Sequence, residues 1–252
     1  MSQRAAVWLS RLVIVLVLLT LWQIAIEHSR IAAFFLGSPA IIADRLIDWI
    51  TSGVIFRHLG ITLLETLLSF AIGCSLALVL GLLFALNDTL AAVFDPFIKG
   101  LNSMPRLIMA PIFAVWFGLG IWSKVALGVT LVFFVVFFNV FQGIREVSPV
   151  LLANARMLGA SKWQLIRRVY IPSALSWVFS SLHLSVGLAF VGAVIGEYLG
   201  SSAGVGYLIL EAEGTFDIET VIAGVILLTA FALLLDYLIS IVETSLLKWQ
   251  AK

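Results

Sequence analysis

The chain has 252 residues, 62% of them hydrophobic and 12% charged, with a formal net charge of +1 and a mean hydropathy of +1.14. This composition excludes an ordinary soluble domain, and the near-zero net charge gives no reason to expect nucleic acid. One cysteine, Cys74, excludes an intrachain disulfide, and His28, His58 and His183 are too scattered for metal-ligand spacing. The expected fold class is all-α and polytopic, with about six transmembrane helices of ~20 residues each.

The first apolar stretch runs from Val7 to Ile26, with Arg11 near its start. A basic head before an apolar run also suits a signal peptide. Ile26, Glu27 and His28 occupy the place of a small-x-small cleavage site, however, which favours an uncleaved span. Residues 28–57 mix Asp44, Arg45, Asp48 and Trp49 with apolar residues and read as an amphipathic segment on the membrane surface. The second span, His58 to Leu86, carries Ser69, Gly73, Ala77 and Gly81 on one face, a pattern that lets helix backbones approach closely in lipid. Glu65 extends that face by one turn and must meet protein or water.

The third span, Gly100 to Gly118, holds Pro105 and Pro111 and is expected to be kinked or unwound. Asn102, Ser103 and Arg106 stand at the break, and broken membrane helices often line a cavity. The fourth span, Trp122 to Gly143, is rich in phenylalanine. The fifth, Pro172 to Gly196, has the small pairs Ser181/Ser185 and Gly192/Gly196, with His183 midway. The sixth, Thr220 to Val242, contains Asp236. Arg106 and Asp236 lie at similar depths. They are expected to pair with each other, the alternative being that Arg106 meets an anionic substrate. His183 reads as a hydrogen-bonded packing residue before a ligand.

Charge sets an orientation. Arg145, Arg156, Lys162, Arg167 and Arg168 lie between spans four and five, against one acid, Glu146. Glu197, Glu211, Glu213, Asp217 and Glu219 lie between spans five and six, with no Lys or Arg among them. Basic residues stay cytoplasmic, which puts the first interval inside, the second outside and both termini in the cytoplasm. Lys248 and Lys252 agree; Arg30, Arg45 and Arg57, on the external side, fit less well.

The basic interval is also the most legible stretch locally. Ser148 before Pro149 reads as an N-cap with proline at the first helical position. Leu151, Leu152, Ala155 and Leu158 follow at helical spacing, and Gly159 suits the left-handed residue that ends a helix. Ser161 and Gln164 form a capping box for a second short helix through about Val169, and Pro172 suits the first turn of the next one. The segment is therefore expected to be a helix–turn–helix elbow between two spans.

This elbow resembles the EAA loop of type I ATP-binding-cassette importer permeases, whose pattern is E-A-A-x3-G-x9-I-x-L-P. Ala153, Asn154 and Ala155 stand at its first positions, and Gly159, Val169, Ile171 and Pro172 at the others. The glutamate is replaced by Ala153, which leaves any role of that carboxylate in doubt here. The GASKWQ run and the later GVGYLI resemble the nitrate/sulfonate/taurine branch, and the likeness spans about Phe56 to Leu247. It implies an N-terminal helix with an external segment over 1–54, a permease domain over 55–247 with its coupling loop at 146–171, and a cytoplasmic tail at 248–252. The implied setting is the inner (cytoplasmic) membrane. The implied partners are an ABC ATPase subunit, an external substrate-binding protein and a second permease copy, in a homodimer. Within the loop, Leu151, Leu152, Ala153, Asn154, Ala155, Arg156, Leu158, Gly159, Ala160, Ser161 and Pro172 are the expected ATPase-docking residues. The same basic residues could instead anchor the loop to anionic membrane lipid.

No G-x-x-x-x-G-K-[ST], H-E-x-x-H or G-x-S-x-G occurs, so no catalytic, cofactor or metal site is expected, and ATP hydrolysis falls to a separate subunit. The candidate substrate path comprises Asn102, Ser103, Arg106, Glu65, His183 and Asp236. The competing class is a secondary transporter or channel uncoupled from an ATPase, which would need Glu65, His183 and Asp236 as an ion relay.

Overall fold

The computed structural model describes residues 3–173, 177 and 182–246. The described residues are helical, with no strand among them. Helix α1 is Gln3–His28, α2 Arg30–Leu36, α3 Pro39–Ser52, α4 Val54–Ala85 and α5 Asp88–Ser103. A 3-10 turn, Arg106–Met109, leads into α6, Ala110–Phe117, and then α7, Ile121–Arg145. Two short helices follow, α8 Pro149–Met157 and α9 Lys162–Leu165; then come α10 Leu182–Leu199, α11 Val205–Gly214 and α12 Ile218–Leu246. Among the described residues, four helices are long and apolar enough to cross a membrane: α1, α4, α7 and α12. Two shorter apolar helices, Arg106–Phe117 and His183–Leu199, lie where the third and fifth spans are expected. Ser181 and the 248–252 tail lie outside the described residues.

The core is a parallel pair, α4 and α7, with α10 running antiparallel beside them. The small-residue face of α4 does what its spacing predicts. Ser69, Gly73, Ala77 and Gly81 are all buried; a Cβ on Gly73 would meet Val132 and one on Gly81 would meet Val140. Gly128 of α7 accepts both Ser69 and the backbone of Gly192, so three helices meet where side chains are smallest.

The other expectations shift in detail. The 28–57 segment also packs against other helices. Its α3 buries Ile42 and Trp49 in a cluster with Ile55, Val205 and Ala223, and Arg45 reaches Asp217 at 3.4 Å. The third span is two pieces. Asn87 caps α5 through the N–H groups of Thr89 and Leu90, and the chain turns extended at Met104–Pro105. Pro111 sits in the first turn of α6, where its missing N–H costs nothing, so only Pro105 breaks the span. Arg145 pairs with Asp88 at 2.7 Å and ties the end of α7 to the start of α5.

Candidate coupling elbow and intramembrane polar groups

Between α7 and α10 the chain forms the expected elbow. Pro149 occupies the first turn of α8, but the Ser148 side chain makes no cap bond; its carbonyl accepts from Leu152 N–H at 3.1 Å. The helix ends in a Schellman turn. Ala160 N–H donates to the Ala155 carbonyl and Gly159 N–H to the Arg156 carbonyl, both at 3.0 Å, with Gly159 at φ 81°. Ser161 then opens α9 with both halves of the capping box. The Gln164 N–H donates to Ser161 Oγ, and the Ser161 N–H donates to Gln164 Oε1 at 2.7 Å.

Pro172 stands in the first turn of the α-helix that resumes at Ile171. Residues 166–170 form a π-turn, with the Ile171 N–H bonded to the Ile166 carbonyl, and the chain runs on helically through Pro172. A proline ring crowds the carbonyl four residues back, here that of Arg168, and the wider turn relieves the clash without a break. The second limb of the elbow therefore continues helically through residue 173.

The elbow's apolar groups divide. Leu152 and Ala155 are half-buried and Leu165 is buried. Met157 and Leu158, at the tip, are 81% and 89% exposed. Ala153, Asn154 and Arg156 are also exposed. A cavity of about 290 Å³ lies between the limbs, lined by Ala155, Leu158, Gly159, Ala160, Gln164 and Leu165 among others. Held by a turn that fixes both limbs, these groups make an exposed apolar surface of fixed shape.

The candidate path residues fall in three places. Arg106 donates Nη2 to the Asn102 carbonyl at 3.0 Å and to the Asn102 side chain, and lies 4.9 Å over the Phe134 ring. Ser103 donates to the Gly100 carbonyl. His183 and Asp236 stand together on a cavity of about 290 Å³ between α10 and α12, with His183 Nε2 3.8 Å from the Asp236 carboxylate and 3.0 Å from Ser240 Oγ. Arg106 does not reach Asp236, so the expected pair within the chain is absent. The sequence gives their depth but not their direction: the broken helix packs on α4, α7 and α10, and α12 packs on α3, α10 and α11.

Glu65 is in the third place. It is buried in the helical core beside Glu197 and Lys124, which are buried too. Glu197 belongs to the supposedly external acidic set, yet it turns inward and accepts from Thr62 Oγ1 at 2.7 Å and from the Gly206 N–H at 2.8 Å. Lys124 Nζ donates to the carbonyls of Leu119 and Gly120. His58 Nδ1 lies 3.1 Å from the Gly204 nitrogen. Gly204 has φ 105°, and a Cβ there would overlap the Glu197 carboxyl. The signal for this knot was the Thr62–Glu65–Ser69 face of α4 opposite a glycine-rich turn.

The model for the binding-protein-dependent transport system inner membrane component matches residues 77–248. The chain belongs to that family. It is a permease component of an ABC transporter and a multi-pass membrane protein. It is 34% identical over 96% of its length to a Bacillus subtilis protein named as the aliphatic sulfonates transport permease SsuC, covering 88% of that protein. It is 33% identical over 94% of its length to the formylaminopyrimidine transport permease ThiX of Halalkalibacterium halodurans, covering 94% of it. Among solved structures, the MetNI methionine ABC transporter in an inward-facing conformation superposes with a TM-score of 0.67 at 19% identity, over 80% of this chain and 98% of that one. That likeness carries the fold alone. The family and the sulfonate relative agree with the branch that GASKWQ and GVGYLI resemble.

Proposed function

We propose that this permease carries a small solute inward across the cytoplasmic membrane, driven by ATP hydrolysed on a separate subunit that grips the elbow. The observation that carries this reading is the tip of α8, where Met157 and Leu158 project from a turn rigidly closed at Gly159. A short helix with an apolar tip and basic flanks suits a groove in a cytosolic partner. Movement of that partner would be passed through the π-turn to the fifth span and through Val147 to α7. Residues 55–247 form the permease domain, 146–171 its coupling loop, and 1–54 and 248–252 the flanking parts.

The remaining partners follow from the family reading: a second copy of this chain and an external substrate-binding protein. The elbow and both termini face the cytoplasm, and the 197–219 loop faces outward. The solute belongs with the small sulfonates and heterocycles named for the relatives. The broken helix at Met104–Pro105 and the His183–Asp236 cavity supply polar groups along its route.

An ion relay through Glu65, His183 and Asp236 has no continuity to support it. Glu65 lies beside Glu197, and the stretch of α10 from His183 to Glu197 is about 21 Å long at ~1.5 Å per residue.

The test has two parts. An ATPase encoded beside this chain should co-purify with it. A cysteine at Ser161 should be labelled only from the cytoplasmic side and one at Ser202 only from outside, in a background lacking Cys74. Labelling of both from one side would sink the orientation, and a chain that never retains an ATPase would sink the coupling.

A further inference from the structure

We propose that Arg106 and Asp236 pair across two copies of this chain, each copy giving one residue to each of two symmetry-related ion pairs. The inference rests on the two-copy assembly proposed above and adds the contact that holds it at mid-membrane depth.

Both charges lie at membrane depth. Arg106 covers Phe134, and the stretch of α7 from Lys124 to Phe134 is about 15 Å long. Asp236 neighbours His183, about 21 Å along α10 from Glu197. Glu197 and Lys124 belong to one buried cluster, so the two charges differ in depth by about one helical turn, ~5.4 Å.

Among the described residues Arg106 meets no carboxylate and Asp236 meets no Lys or Arg. Among the described residues the Arg106 guanidinium bonds to Asn102, and its Nε is buried with no hydrogen-bond partner among them. The Asp236 side chain is 65% exposed and accepts no hydrogen bond among the described residues. His183 approaches it only to 3.8 Å and is engaged with Ser240. Charged groups at this depth do not face hydrocarbon; they face protein or water.

The choice of occupant follows from charge. An anionic lipid or solute would satisfy Arg106 and leave Asp236 bare; a cation would do the reverse. A second copy satisfies both at once, because in a two-fold interface a contact of one residue with another is repeated in reverse. Exposed apolar residues flank each charge, Leu107 and Ile108 beside Arg106, and Leu233 and Tyr237 beside Asp236.

Three measurements test the pair. Two differently tagged wild-type chains, co-expressed with the ATPase, are captured through one tag. Recovery of the other tag is expected; its absence overturns the two-copy assembly and the pair with it. Next, a chain carrying Arg106→Cys and Asp236→Cys in a Cys74→Ala background is treated in membranes with a short bifunctional thiol reagent. A covalent dimer is expected. A product confined to single chains, or none, with two-tag capture intact, overturns the pair and leaves the dimer standing. Finally, Arg106→Asp alone and Asp236→Arg alone should each cut two-tag recovery at least about tenfold. Co-expressing the two variants should restore it, since a mixed dimer holds one native pair and one reversed pair. A pair within one chain would gain nothing from mixing, and that result would also overturn the proposal.

Discussion

Thr62 donates its hydroxyl to Glu197 Oε1 at 2.7 Å, joining the start of α4 to the end of α10. The same Thr62 oxygen accepts from the Val205 N–H at 3.2 Å, while Glu197 Oε2 accepts from Gly206. One hydroxyl therefore bridges a buried carboxylate and an orphan donor at the N-terminus of α11. Thr62→Val keeps the shape and removes both bonds, and should destabilise the protein by about 1–3 kcal/mol, the cost of stranding buried polar groups. Thr62→Ser should retain most of the stability. Thermal unfolding in detergent compares them, and equal losses would show that the hydroxyl is not what matters.

The α4–α7 contact gives a second comparison on one helix. A Cβ on Gly73 would lie 2.9 Å from the Val132 Cβ and Cγ1, both fixed in the core, whereas one on Gly60 meets nothing within 4 Å. Gly73→Ala should therefore cost about 1–3 kcal/mol through overpacking. Gly60→Ala should be neutral or stabilise by up to ~1 kcal/mol through helix propensity. Opposite signs in the unfolding midpoint are expected; two similar shifts would refute close packing at Gly73.

What could be read from the chain was what is local. The capping box at Ser161/Gln164, the left-handed Gly159 and the small-residue face of α4 depend on neighbours within one or two turns, and they stand where the spacing puts them. Glu197 was misread because its partners, Thr62 and Gly206, become neighbours only when α4, α10 and α11 are assembled. The π-turn at 166–170, just before Pro172, has no comparable local signal. The apolar run of α11 was hidden behind Gly204 and among acidic residues. Depth along a span can be counted from sequence, but which helices pack together cannot, which is why Arg106 and Asp236 were expected to meet.

At the start of α12, Asp217 gives a pH-dependent prediction. Burial raises its carboxyl, but the Thr220 hydroxyl at 2.7 Å, the Thr220 N–H at 3.0 Å and the Arg45 guanidinium outweigh burial and hold it below its ordinary value. A carboxylate depressed in the folded state contributes stability in full above its unfolded pKa, about 3.9, and loses it as the pH falls through the lower folded value. Asp217→Ala should cost about 1 kcal/mol at neutral pH, as for a lost N-cap. The gap between wild type and variant should hold from about pH 7 to 5 and close below about pH 4. Unfolding midpoints across that range check it, and a gap that widens in acid would reverse the sign of the argument.

The elbow gives the prediction that bears most directly on coupling. Gly159 sits at φ 81° with open space around its missing Cβ, so a substitution there meets no clash and tests conformation alone. An L-residue in this region costs about 1–2 kcal/mol, and a β-branched one is a genuine outlier. Gly159→Val should therefore open the Schellman turn and redirect Met157 and Leu158, while leaving α4, α7 and α10 packed. Gly159→Asn should behave nearly as wild type, because asparagine tolerates the left-handed region. Neutralising Arg167 and Arg168 separates shape from charge. It should matter less than Gly159→Val if the tip docks by apolar contact, and more if the loop only anchors to anionic lipid. The readouts are ATPase co-purification and ATP-driven uptake in proteoliposomes. Gly159→Val should lose both, with the protein still present in the membrane at wild-type level. If it binds the ATPase and transports as wild type does, the turn at Gly159 is not the coupling element.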